Sequence, residues 1–319
     1  MDSTRKTPPA WLVWAALWTV YIVWGSTYLA IRVTVETLPP LLTGGVRFLI
    51  AGLIAYGFLA ARRGLEAVKV TSRELLSCAF VGGALILGGN GLVVLAERDA
   101  PSSLAALIIA SVPLWVVLLR FVTGERIARG TLGGVALGFL GVAILVLPGD
   151  RPEGATLFSL LLLVTAAAFW ASGSFASTRL TMPSDPLVST AVQMLCGSAW
   201  MFAAGFLRGE GSGIDVGSFS VSSIAAFVYL VVAGSLLAFT AYVWLLQNAP
   251  ISKVATYAYV NPVIAMLLGW AILSEEMTGM MLIGATVIVA SVAFIVSRES
   301  ERPKAPQRVG AVAEAESAH

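Results

Sequence analysis

Residues 100–113 read APSSLAALIIASVP, and residues 249–262 read APISKVATYAYVNP. The two align without a gap. Ala100, Pro101, Ser103, Ala106 and Pro113 fall on Ala249, Pro250, Ser252, Ala255 and Pro262. One inserted residue later, Glu125 of TGERI falls on Glu275 of LSEEM. Upstream, VWGSTYLAIRVTVETLPP (23–40) aligns with FWASGSFASTRLTMPSDP (169–186), pairing Trp24 with Trp170, Ser26 with Ser172 and Pro40 with Pro186. The chain reads as a duplication, and a duplication constrains the fold more than any single motif does.

The duplicated unit is built for lipid. Of the 319 residues 58% are hydrophobic and 12% charged, about half the charge of a soluble domain, and the mean hydropathy is +0.87. Apolar runs of spanning length recur at about 11–31, 41–61, 75–95, 103–121, 130–148, 155–177, 187–207, 222–246, 252–272 and 278–297. The first run follows Arg5 and Lys6, is long enough to span, and ends without a small-residue cleavage pattern, so it reads as a span rather than a removable leader. Trp11, Trp14 and Trp18 fall early in it, where interfacial anchors belong.

Ten spans predict an all-helical membrane protein with both termini on one side. Fifteen Lys and Arg lie on the terminal side and four (Arg32, Arg98, Arg151 and Arg208) on the other, which predicts cytoplasmic termini. The expected organisation is an N-terminus over 1–10, a first repeat over 11–148, a connecting loop over 149–154, a second repeat over 155–297, and a disordered polar tail over 298–319. Five spans per repeat is an odd number, so the second copy is inverted relative to the first. Secondary transporters often use this plan, with the solute site near mid-membrane between the repeats.

Pro113 and Pro262 fall inside spans four and nine. Each removes a backbone hydrogen bond, and matched bends in the two halves are expected there. With Gly25 in the first span they are the candidate flexing points. Polar and aromatic residues inside spans supply the candidate cavity wall. Tyr21, Trp24 and Tyr28 share one face of span one, and Trp170 and Ser174 share one face of span six. Spans three and four add Asn90, Ser111 and Trp115, and spans eight and nine add Tyr242, Tyr257, Tyr259 and Asn261. Asn90 and Asn261 either face the cavity or bridge helices, since neither can face lipid unsatisfied. Such a wall suits an amphipathic solute with an apolar part.

Arg47 is the one charge clearly inside a span. It either contacts solute or pairs with Glu36, Glu97 or Asp99 near the same surface. All eighteen acids are read as lying in loops, tails or helix ends. Without an embedded carboxylate, a cation/proton antiporter built around one is disfavoured, and a neutral or zwitterionic solute is expected, with facilitative movement open. Glu97 is the nearest alternative for proton coupling and is read against. Glu125 and Glu275 precede spans five and ten, where a carboxylate favours the helix N-terminus.

Several classes are excluded. The only histidine is His319, so no histidine base or histidine-rich metal site is available. No nucleophile–base pair or acid cluster suggests catalysis, so no catalytic residue, cofactor or metal is expected. A net charge of +2 gives no footprint for nucleic acid. The expected partners are a small-molecule solute and the bilayer. The chain is expected to be monomeric, and the alternatives are a proton-coupled drug or metabolite exporter and a sensor or scaffold without flux.

WGSTYLAIR in the first span, VRFLIAGL in the second, and APSSLAALI and GER around the fourth resemble the EamA family of the drug/metabolite transporter superfamily. The resemblance covers almost the whole chain outside the termini. It implies two inverted five-helix repeats around a central cavity lined by helices one, three, four, six, eight and nine, with five and ten at the periphery. It also implies a bacterial inner-membrane exporter of amino acids or other small metabolites. Gly134, Gly138 and Gly141 of GGVALGFLG are consistent with a close-packed fifth helix.

Overall fold

The computed structural model describes residues 9–146 and 154–300. The first eight residues, most of the expected connecting loop and the tail from residue 301 lie outside them. Among the described residues nine helices are long and apolar enough to cross a membrane. They are α1 (Ala10–Thr34), α2 (Pro40–Arg63), α3 (Ser72–Ala96), α4 (Ser102–Val122), α5 (Arg129–Val146), α6 (Leu157–Ser177), α7 (Pro186–Leu207), α8 (Val221–Leu246) and α10 (Gly279–Arg298). The remaining span is divided into a four-residue helix, Ile251–Val254, and a shorter apolar helix, α9 (Tyr257–Leu273). The ends of the described chain lie on one face, called terminal here; the opposite face is called distal.

Repeat-mates pair at two flanks. The α2 helix packs along α7, and α5 along α10. Glycine brings these pairs into close contact. A Cβ on Gly141 would meet Ile288 Cγ1 at 2.8 Å and the Gly284 carbonyl at 3.2 Å, and one on Gly284 would meet Leu145 at 2.6 Å. Apolar helices gain little from the hydrophobic effect in lipid, so such close contact is what holds the pair together. The other six helices stand between the flanks. Leu104, Leu107 and Ile108 of α4, Leu160 and Leu163 of α6, and Ile288 of α10 are fully buried in one cluster on the distal side.

The interruptions fall differently from the sequence expectation. The α4 helix breaks at Ala110–Ser111, and Pro113 is the second residue of its lower half, Val112–Val122. The proline cannot donate to Ile109, so the carbonyl four residues back is released at the bend. Pro262 instead sits inside α9, and the break in span nine lies earlier, at Ala255–Thr256. The two prolines are matched in sequence, but the breaks are not matched in position. Gly25 is also no bend: α1 is helical throughout, and a Cβ there would meet Ile264 Cγ2 at 2.7 Å and the Asn261 carbonyl at 3.2 Å. It lets α1 and α9 touch.

One matched irregularity has no motif in the sequence. Residues 83–91 of α3 and 230–237 of α8 are π-helical, and the two segments belong to repeat-mates. Bulges of this kind widen a helix and free carbonyls for other partners. Both face the space between the repeats.

Candidate functional site

The two symmetry-related tryptophans rest on these π segments. Trp24 Nε1 donates to the Gly234 carbonyl of α8 at 3.2 Å. Trp170 lies against Gly89 of α3, so closely that a Cβ on Gly89 would meet its ring at 2.7 Å. Each tryptophan bridges to a helix of the other repeat, as the alignment of Trp24 with Trp170 suggested.

Around Trp24 the structure gathers the aromatic side chains expected from spans one, eight and nine. Ring centroids lie 5.1 Å from Trp24 to Tyr242, 5.3 Å from Trp24 to Tyr257, and 5.6 Å from Tyr242 to Tyr257. Two of the three contacts are edge-to-face, the favoured geometry for rings. Tyr21 joins the group through its hydroxyl, which hydrogen-bonds Thr256. The group runs from mid-span, at Tyr21 and Trp24, to the terminal ends of α8 and α9, at Tyr242 and Tyr257, where span nine is broken. A cluster of π faces with hydroxyl edges can hold an apolar side chain or cover a cationic group.

Other expected wall residues are placed elsewhere. Trp115 packs edge-to-face on Phe139 of α5, with centroids 4.8 Å apart, toward the flank. Its direction follows from the bend: Pro113 starts a new half-helix and resets its face. Ser111 is fully buried and donates to the Ile108 carbonyl at 2.6 Å, so its hydroxyl serves the bend. Asn90 reaches only the Leu85 carbonyl on its own helix, at 3.4 Å. Tyr28 and Tyr259 are half-buried beside the distal cluster, and Ser174 is half-buried in α6. Asn261 is buried between α1 and α9, and its Oδ1 accepts no hydrogen bond.

Arg47 is buried but is not ion-paired with Glu36, Glu97 or Asp99. Its Nε donates to Ser235 Oγ of the α8 π segment at 2.9 Å, and its guanidinium lies 4.8 Å from the Phe48 ring centroid. The sequence reading overlooked Ser235 because a serine in an apolar span carries no directional signal. A cavity of about 20 Å³ borders Arg47, Thr34 and Thr43, close to the volume of one water.

The largest departures concern carboxylates. Glu275 does not cap the helix that follows it. It accepts from Ser102 N at 2.7 Å, Ser102 Oγ at 2.8 Å, Ser103 N at 3.0 Å and Ser103 Oγ. It thereby caps α4, 173 residues away in sequence, and ties the two repeats together at the distal face. A Cβ on Gly269 would lie 2.3 Å from Glu275 Oε2, so that glycine makes room for the latch. Glu125, the repeat-mate, lies at the terminal face and pairs with Arg120 Nε and Arg179 Nη2, each at 2.7 Å. These contacts hold its carboxyl below the usual carboxylate range, Arg120 contributing most. Glu97 is not a solvated loop acid. It is 0% exposed, and neither carboxyl oxygen has a hydrogen-bond partner. Its backbone carbonyl accepts from Arg32.

The two faces are packed differently. At the distal face the first half of α4 contacts α1, α6 and α9, and every residue from Pro101 to Ser111 is buried. At the terminal face α9 and the end of α8 lean on α1, while the second half of α4 leans on α6. Among the described residues α6 makes no extensive contact with α1 or α9. The inner six helices thus separate into two sets toward the terminal face and close against each other at the distal face.

An inverted repeat of five helices, with its interface between α1, α3, α4, α6, α8 and α9, defines a transporter architecture. The chain belongs to the EamA-like transporter family, whose model matches residues 10–147 and again 157–297. It is 34% identical over 287 residues to the uncharacterized inner membrane transporter YedA of Escherichia coli (strain K12), covering 89% of this chain and 90% of that protein. It is 27% identical over 278 residues to a probable amino-acid metabolite efflux pump of Salmonella typhimurium (strain LT2), covering 85% and 90%. One solved crystal structure superposes with a TM-score of 0.62 at 21% identity, over 91% of this chain and 99% of that one, a likeness of fold.

Proposed function

We propose that this chain is a secondary exporter of small amphipathic metabolites, amino acids first among them, working by alternating access in a bacterial inner membrane. The observation that carries the reading is the aromatic group of Tyr21, Trp24, Tyr242 and Tyr257, set on a π segment at the repeat interface. The excess of Lys and Arg on the terminal side assigns that face to the cytoplasm. Solute then enters between the two helix sets from the cytoplasm and meets the aromatic group. It leaves after the distal contacts of α4 and Glu275 part and the terminal face closes. The printed name of the Salmonella relative supports amino-acid metabolites as the first solutes to test.

The test is flux. Proteoliposomes with the purified chain, loaded with a panel of radiolabelled L-amino acids, should release at least one of them faster than protein-free liposomes. Trp24→Ala should reduce that release about tenfold or more, the loss expected when a principal aromatic contact is removed. Absence of protein-dependent flux for the whole panel would refute an amino-acid exporter. Saturable binding without flux would favour a sensor.

A further inference from the structure

The distal gate contains an acid that the transport reading leaves unexplained. Glu97 follows the last turn of α3, where a charged residue should reach water or headgroups. Instead it is completely buried. Both oxygens are orphaned. An ionised carboxylate is not stable in such a place, because removing it from water without donors costs several kcal/mol; a neutral acid is far less costly.

The neighbouring charges argue the same way. Glu275 lies across the latch, already supplied with four donors, and its negative charge opposes a second one beside it. From α1 face Arg32, whose hydrogen bond goes to the Glu97 backbone rather than to the carboxyl, and Tyr28. The distal half of α6 and residues 92–96 of α3 carry no titratable group. Arg98 and Asp99, next along the chain, are exposed, and Arg47 on α2 turns to Ser235. Burial first, and then the Glu275 charge, hold the Glu97 carboxyl well above the usual carboxylate range against the smaller pull of Arg32. Of the two carboxyls at this end, Glu275 is fully hydrogen-bonded and Glu97 is bare.

We propose that Glu97 is a proton-binding site built into the distal gate, taking up one proton from the distal medium when the gate closes and returning it when the gate opens. The proposal rests on the alternating-access reading. When α4 moves off Glu275, water reaches Glu97, its O–H bond breaks, and the proton passes to that water. Closing reverses the step. Acid on the distal side therefore holds the gate shut, and the open population rises with pH.

The experiment reads the gate itself and needs no solute. The full chain, with Cys78 and Cys196 replaced by Ala, carries Ala105→Cys in the buried first half of α4. In proteoliposomes it is labelled from outside with a membrane-impermeant maleimide. An exposed distal-loop cysteine, Ser212→Cys, corrects for orientation and for thiol ionisation. Between about pH 5.5 and about pH 8 the corrected rate should rise about fivefold or more with Glu97 present, and stay within about twofold in E97Q, which mimics the neutral acid. A flat profile with Glu97 present overturns the proposal, as does a rise that E97Q shares.

Thermal unfolding in detergent supplies a second readout. A carboxyl with a raised folded-state pKa contributes most at low pH, and that contribution is lost as pH rises toward the raised value. The unmutated chain should therefore lose Tm relative to E97Q as pH increases, and parallel curves overturn the proposal. If E97Q does not fold, the pH profile of the unmutated chain decides alone. Absence of flux for any amino acid would remove the exporter reading while leaving the labelling result intact.

Discussion

The starts of spans four and nine carry the same motif and lie in opposite environments. In span four every residue from Pro101 to Ser111 is buried, and Glu275 of the other repeat caps the helix. In span nine the helix is broken at Ala255–Thr256, Tyr257 and Tyr259 are only half-buried, and Glu125 faces two arginines instead. A duplicated sequence would give two equal gates if local sequence decided the matter. The inequality has a physical source in side chains that differ between the copies. Gly269 leaves room for Glu275 against α9. The corresponding stretch of α4, PLWVVLLRFV, has no glycine, and its Arg120 draws Glu125 away. The distal end is latched across the repeats by Glu275, whereas at the terminal end Glu125 pairs with Arg120 and Arg179.

The comparison can be broken at several points. The largest effect is expected from Glu275→Ala, which leaves four buried donors unsatisfied. It should cost about 3 kcal/mol or more, read as a lower Tm, and should raise distal labelling of Ala105→Cys. Equal losses in Glu275→Ala and Glu125→Ala would show that the gates are equivalent and the asymmetry wrong. Trp24→Ala should cost about 3 kcal/mol through lost packing, and Trp24→Phe clearly less, with chemical denaturation as the measure. Gly269→Ala should act as a weaker Glu275 variant, because its Cβ can fit only if the carboxylate shifts. A fall of about 1–3 kcal/mol is expected, together with increased distal labelling; unchanged labelling would mean that Gly269 plays no part in the latch.

The smallest effect is expected at Glu125. Its pair with two arginines is partly exposed, so Glu125→Gln should change stability by no more than about 1 kcal/mol. Its depressed carboxyl gives the sign: the contribution is present above the ordinary carboxylate pKa and is lost as pH falls below it. The Tm difference between Glu125→Gln and the unmutated chain should shrink with acidification and with added salt. For Glu97 the pH trend is opposite, so the two acids distinguish the gates in one set of melting curves.

Much of the aromatic group was legible from the residues. The spacing of Tyr21 and Trp24 on one face of span one, with Tyr257 inside the repeat motif, led to side chains that the fold brings into contact. The packing of Trp115 on Phe139 was not legible, because the helix restarts at Val112, next to Pro113, and span membership does not fix which side it faces. The π segments were not legible, since GALILGGNG and LVVAGSLL fit an ordinary apolar helix equally well. The burial of Glu97 was not legible for a different reason: position at a helix end says nothing about which other helices pass over it.

By itself the sequence determined the span count, the inverted duplication, the side bearing most of the positive charge and the aromatic content of the interface. Each is encoded in local composition, or in comparing one stretch with another. Only the tertiary structure decided which end is closely packed, that Glu275 serves α4 rather than α10, and that Glu97 is sealed from water. These depend on contacts between residues far apart in the chain, and on which of two near-symmetric packings the molecule adopts. A repeat supplies both packings in the same residues. The space at Gly269 and the charge at Arg120 tip the balance between them.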